Sequence, residues 1–208
     1  MVDFRVDGNP TSGDMETLLK DIGPILRNRG FKGSGKNFRK IEGDFVFVVN
    51  FQGSRSGDGS FVNLAAHPLF IPTVSDEPPD PTSIKEYECM VRRRVGKLWT
   101  SNADEVQRAD LVSQLEKALD DFFCRSGRLK EALVHRSAHE LVNDFSLGQT
   151  RAFSTLALAR AALAVGELGK ARDLVVLGLE MAGEAMGLRV KLKEVLKGVE
   201  AAEQAVAE

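Results

Sequence analysis

Six cations stand between positions 27 and 40 with no acid among them: Arg27, Arg29, Lys32, Lys36, Arg39 and Lys40, a local charge of +6. A second basic group, Arg92, Arg93, Arg94 and Lys97, falls on a later strand-like segment. Cations at this density attract acidic protein, phosphate or RNA where the fold brings them together unpaired. The competing role is structural: strand-edge lysines deter aggregation while the arginines pair with local acids. Asn50, Gln52, Ser54, Asn63, Arg92 and Arg94 are polar residues within strand patterns. Buried polar groups must be hydrogen-bonded, so such a set is either a structural network or the lining of a pocket. Alternation places Asn63 on the face of Phe61, so one pocket shared by all of them is not expected.

Other residues that could do chemistry lack the arrangement it needs. His135 and His139 lie four apart on an expected helix, on one face, but a metal site needs a third or fourth ligand. Glu140 follows His139 directly, which is not the His-Glu-x-x-His arrangement. His67 stands alone before Pro68. Cys89 and Cys124 are far apart without a Cys-x-x-Cys motif, and each is most simply a small buried hydrophobe; a Cys124/His135 nucleophile pair has no local support. Gly33-Ser34-Gly35-Lys36 follows a helix and enters a strand, the reverse of a phosphate loop, and reads as a turn. There is no Gly-x-Ser-x-Gly elbow and no dinucleotide glycine pattern. No catalytic residue, metal or cofactor is expected.

Composition sets the frame. The 208 residues carry a net charge of -2, with 43% hydrophobic residues, which excludes disorder of the whole and disfavours a dedicated nucleic-acid binder. Two cysteines suit a reducing compartment, the first 20 residues hold no apolar run able to act as a signal, and no stretch is long enough for a membrane helix. A soluble cytoplasmic protein is expected.

All seven prolines lie in the first 81 residues, and 13 of the last 59 residues are alanine. The first part should therefore mix helix and strand, and the last should be helical. The spacing predicts a helix over 14–29, capped by Ser12 or Asp14, kinked at Pro24 and ended by Gly30 with Phe31 folding back. Strands follow over 38–41 and 45–54 around the hairpin loop 42–44, with Phe45, Phe47, Val49 and Phe51 on one face. A turn at 55–59, a third strand over 60–66, a surface loop at 72–83 and a fourth strand over 87–95 complete the sheet. Then come a helix from an Asn102 or Asp104 cap to 124 with the stripe Val106, Leu111, Leu115, Leu119, Phe122 and Phe123, and a helix over 129–145. A helical hairpin over 150–165 and 170–182 and a last helix from 188 follow.

These motifs resemble a known family. Gly30-Phe31-Lys32 after a helix, Asn37-Phe38-Arg39-Lys40, Val48-Val49-Asn50-Phe51-Gln52-Gly53-Ser54 and Phe61-Val62-Asn63-Leu64 are similar to the bacterial domain of unknown function 4304, over about residues 14–123. A later Cys-His-x-x-x-Arg pattern of that family falls on Cys89 to Arg94, with Met90 in place of the histidine, so any role of that histidine is lost here. The resemblance implies an α+β domain with an antiparallel sheet and no particular activity. Leu158, Ala159, Ala162, Gly166, Ala171 and Leu179 are spaced like one tetratricopeptide repeat, although an alanine-rich hairpin accounts for them as well. The expected fold is α+β: an N-terminal helix packed on a small antiparallel sheet over 1–125, then an all-α segment over 126–208. The expected function is a non-catalytic bacterial protein-interaction factor, conceivably associated with immunity or defence. It would meet an acidic macromolecular partner through the basic sheet and the helical hairpin, with Gln52 and Asn63 among the binding residues. A small-molecule or phosphate-ester enzyme and a weak RNA binder are the alternatives.

Overall fold

Phenylalanine alternation seals one side of a sheet, and everything else is arranged around that side. The computed structural model describes residues 12–54, 59–100 and 103–207. The opening helix α1 (Ser12–Asn28) turns Ile22 and Leu26 inward, and Pro24 is accommodated within it. Gly30, at φ +85°, ends it: Phe31 N–H donates to Leu26 O and Gly30 N–H to Arg27 O, the paired bonds that close a helix through a left-handed glycine. Phe31 is thereby folded back against Phe123, with ring centroids 5.6 Å apart.

Five antiparallel strands follow in the order of the chain: β1 (Lys32–Ser34), β2 (Asn37–Glu42), β3 (Phe45–Gly53), β4 (Ser60–Pro68) and β5 (Val91–Trp99). The expected hairpin around Gly43 is present, with Glu42 opposite Phe45. The Gly33-to-Lys36 segment, read as a turn, begins with the last two residues of the short strand β1, and only Gly35 and Lys36 turn. The last strand starts at Val91 rather than at 87, because residues 86–88 form a 3₁₀ turn. The expected turn at 55–59 falls largely on residues outside the described ones, as do Asn102 and the side chains of Ser12, Asp14 and Lys97.

On the core side Phe45, Phe47, Val49 and Phe51 meet Val62, Leu64 and Ala66 and are covered by α1 and by α2 (Glu105–Gly127). Asp104 caps α2 with Gln107 in reciprocal bonds. Val106, expected in its apolar stripe, is 78% exposed, since that first turn lies beyond the sheet's cover. The single helix expected over 129–145 is two, α3 (Leu129–His135) and α4 (Ala138–Phe145). Ser137 interrupts it by accepting from Glu140 N–H while the Glu140 carboxylate accepts from Ser137 N–H, a cap strong enough to restart a helix. Helices α5 (Arg151–Ala164), α6 (Leu168–Met181) and α7 (Met186–Ala207) form a three-helix unit whose buried alanines Ala159, Ala162 and Ala171 let α5 and α6 lie close. Its Leu156, Leu174 and Leu192 belong to the same continuous core as Phe47 and Leu64, so the helical segment is packed onto the sheet domain. None of the described helices is long and apolar enough to cross a membrane.

Candidate functional site

The second side of the sheet is divided. Val46, Val48 and Ala65 form its apolar half, covered by Ile84, Cys89 and Leu69 from the connection between β4 and β5. That connection lacks extended regular structure, as its prolines require, yet it is pinned. Asp80 accepts from Thr82 N–H and from the Thr82 and Ser83 hydroxyls. The Ser83 hydroxyl and then the Thr82 bonds hold its carboxyl down at about 2. Arg39 donates to Ile84 O at 2.8 Å and to Ser83 O at 2.9 Å, fastening the cover to β2. His67 clamps the end of β4: its Nδ1 accepts from Met90 N–H, so Nε2–H donates to Ile71 O. Burial pushes the His67 pKa down to about 4, against the smaller opposing effect of the Ile71 bond. Met90 itself is buried in the core.

The other half is polar and carries no such cover among the described residues, and it corrects the expectation that the polar strand residues do not share a face. The register sets Asn37 opposite Asn50, Asn50 opposite Asn63 and Asn63 opposite Arg94, across β2, β3, β4 and β5. Phe61 belongs to this face, not to the core, and carries Arg94 on its ring, with the guanidinium carbon 3.9 Å from the centroid. Gln52 completes the group. One cation orients all of the amides, since a guanidinium can only donate. Arg94 Nε–H donates to Asn63 Oδ1 at 3.2 Å and Nη2–H to Gln52 Oε1 at 3.1 Å. Asn63 Nδ2–H₂ must then donate, and it does so to Gln52 Oε1 at 3.1 Å and to Asn50 Oδ1 at 3.2 Å. Asn50 Nδ2–H₂ in turn donates to Asn37 Oδ1 at 3.0 Å. Every amide oxygen thus accepts from within the ladder, and the side-chain hydrogens it leaves without a ladder partner are those of Asn37 Nδ2, Gln52 Nε2 and the rest of the Arg94 guanidinium.

Next to Arg94 the face deepens into a recess of about 210 Å³, bordered by Gln52, Asn63, Arg92 and Arg94, with Glu86 and Gly148 closing it; Arg93, opposite Leu64, alternates to the other side of the sheet and contributes its backbone. Arg92 is held there by donation to Gly148 O at 2.9 Å, and its own N–H donates to Leu147 O. Gly148 sits at φ +76°, and a Cβ on it would lie 2.8 Å from Arg92 O, so only glycine allows this approach. The recess offers one carboxylate and no serine, cysteine or histidine among the described residues that line it, so it has binding groups without a nucleophile.

The six cations of the first basic group do not form one surface. Arg29 turns to α2 and pairs with Asp120 and Glu116, the Asp120 bond raising its pKa. Lys40 pairs with Glu42 at 2.5 Å on the core side of the sheet. Arg39 is spent on two backbone carbonyls, as described. Arg27, Lys32 and Lys36 are exposed, and Lys32 lies opposite Arg39. Arg92 and Arg94 share a face with Arg39 but stand three strand spacings away, about 14 Å. His135 and His139 are on different helices and exposed, and no metal-holding group of side chains occurs among the described residues. Cys89 is buried, which pushes its thiol pKa well up, whereas Cys124 is exposed.

Asn37, Phe61, Glu86 and Gly148 are site residues that sequence reasoning missed. Asn37 was within reach: a hairpin turning at Gly43 and Asp44 pairs it with Asn50. Gly148 was not, because no local pattern ties it to β5.

No curated protein and no solved structure matches the chain. The family model described as a domain of unknown function (DUF4304) matches residues 22–135, from the inward face of α1 to the end of α3. That span holds the whole amide ladder and more than half of the chain, and the protein belongs to this family.

Proposed function

We propose that the protein is a non-catalytic interaction factor that binds an acidic segment of a partner protein on the open polar half of its sheet. One observation carries this reading: the ladder uses all of its amide oxygens internally and is left with spare donors, so the groups it can offer suit an anion. Arg94 is bonded to neutral amides rather than to an acid. Its charge is positioned without being cancelled, and its side-chain freedom is already restricted, which lowers the entropic cost of binding. A guanidinium presents a carboxylate with two parallel N–H groups, which favours extended acidic peptide over a diffuse attraction.

The recess also gives some support to a small-molecule site, but the absence of a lining nucleophile favours binding over covalent chemistry. RNA recognition of bases usually stacks them on exposed aromatic rings, and Phe61 on this face is already occupied by Arg94.

The test is fluorescence anisotropy of a labelled glutamate-rich peptide, with an RNA oligonucleotide of equal charge alongside. The reading expects the peptide to bind, and Arg92→Ala with Arg94→Ala to weaken it tenfold or more. Preference for the RNA, or indifference to the double substitution, would contradict it.

A further inference from the structure

We infer that the recess beside Arg94 is a site for a phosphomonoester group, a step that rests on the acidic-partner reading and names the group the face grips. A carboxylate has two oxygens, and one guanidinium fork satisfies both. Here Arg92 and Arg94 border a single recess of about 210 Å³ together with Gln52. That supply of donors exceeds what a carboxylate can use and suits a group with three terminal oxygens. Both arginines are held in advance, Arg92 by Gly148 O and Arg94 by Asn63 and Gln52. Neither anchor cancels charge. Gln52, with its oxygen engaged twice, has its N–H₂ left to donate toward the same space.

Glu86 is the informative member. A lone carboxylate bordering a cationic recess repels a fully deprotonated anion such as a carboxylate or sulfate. A phosphomonoester has its second pKa near 6 and can present a P–O–H. Glu86 accepts that hydrogen while the arginines take the remaining oxygens, so the same carboxylate that penalises sulfate bonds to protonated phosphate. Two cations against one acid still leave the recess net positive.

The experiment uses the full chain and two labelled acidic peptides of one sequence, differing only in a central serine or phosphoserine. Free phosphoserine, inorganic phosphate and inorganic sulfate serve as competitors. The proposal expects the phosphorylated peptide to bind about tenfold tighter, a step of about 1.4 kcal/mol. Phosphate should displace it at lower concentration than sulfate, and Glu86→Gln should erase that preference. Arg94→Lys, which keeps the charge and loses the fork, should forfeit most of the gain with an unchanged circular dichroism spectrum. Free phosphoserine competing as well as the phosphopeptide would also support the recess, with a small molecule as the source of the group. Equal binding of the two peptides, both weakened by Arg94→Ala, would overturn the phosphate assignment and leave the acidic-partner reading standing. Binding of neither peptide nor phosphate would overturn both.

Discussion

Asn63 has only 8% of its surface exposed and joins three neighbours at once: Asn50, Gln52 and Arg94. Asn63→Ala strands the Arg94 Nε–H and Asn50 Oδ1 and leaves Gln52 Oε1 with the Arg94 bond alone, a cost of about 1–3 kcal/mol that urea unfolding should register. Arg94→Ala removes the donor to Asn63 Oδ1 but leaves the amides joined to one another, so it should cost about 1 kcal/mol while abolishing most acidic-peptide binding. Set beside Asn63→Ala, a loss of binding out of proportion to the loss of stability marks the guanidinium. His67 belongs to the same scale. Its folded pKa is depressed to about 4 by burial, so the folded state resists a proton that the unfolded chain accepts near 6.5. The stability tied to its neutral form is complete above about pH 6.5, declines as pH falls toward 4, and changes no further below that. The loss amounts to about 3 kcal/mol by that shift, and His67→Gln should flatten the slope in denaturation curves between pH 6.5 and 4. The composition of the polar set was legible in the chain, since Asn50, Gln52, Asn63, Arg92 and Arg94 all stood out from apolar strands. Their common face was not, because Phe61 looked like core until Arg94 was found on its ring.

At the scale of elements, the phenylalanine alternation named the sheet's inner side correctly, and Gly30 and Asp104 marked helix ends that the chain uses. The misreadings were places where a weak local pattern lost to a tertiary or capping contact. Three residues at Lys32–Ser34 become a strand because β2 offers them a partner, and Ser137 with Glu140 divides a helix whose apolar spacing runs straight through. Gly148 is the element junction most exposed to test. It touches the backbone of β5 where Arg92 enters the recess. Gly148→Val should destabilise the chain by about 1–3 kcal/mol and weaken phosphopeptide and acidic-peptide binding together, whereas Gly166→Val, with open space around it and a similar positive φ, should cost stability without touching binding.

Across the whole molecule, the family match ends at residue 135, yet the core does not. Leu156, Leu174 and Leu192 pack in the cluster that contains the sheet's phenylalanines, and the cover over the second face is tied to the bundle. Asp76, in a left-handed conformation, accepts from Arg160 and Lys191, and although burial alone would raise its pKa, these partners hold it below the usual carboxylate range. A fragment of residues 12–135 should accordingly unfold or aggregate, seen as loss of a cooperative thermal transition, while the full chain melts as one unit. The bundle is then a structural complement of the sheet, which leaves the amide ladder as the face free for a partner. The most direct measurement is nitrogen-15 NMR of the full chain titrated with the acidic peptide. The ladder reading predicts shifts first at the side-chain amides of Asn37 and Gln52 and at Arg94 Nε, fading toward the covered half of the sheet. Shifts confined to α7 or to the β1–β2 hairpin, with Arg94 Nε unmoved, would contradict it.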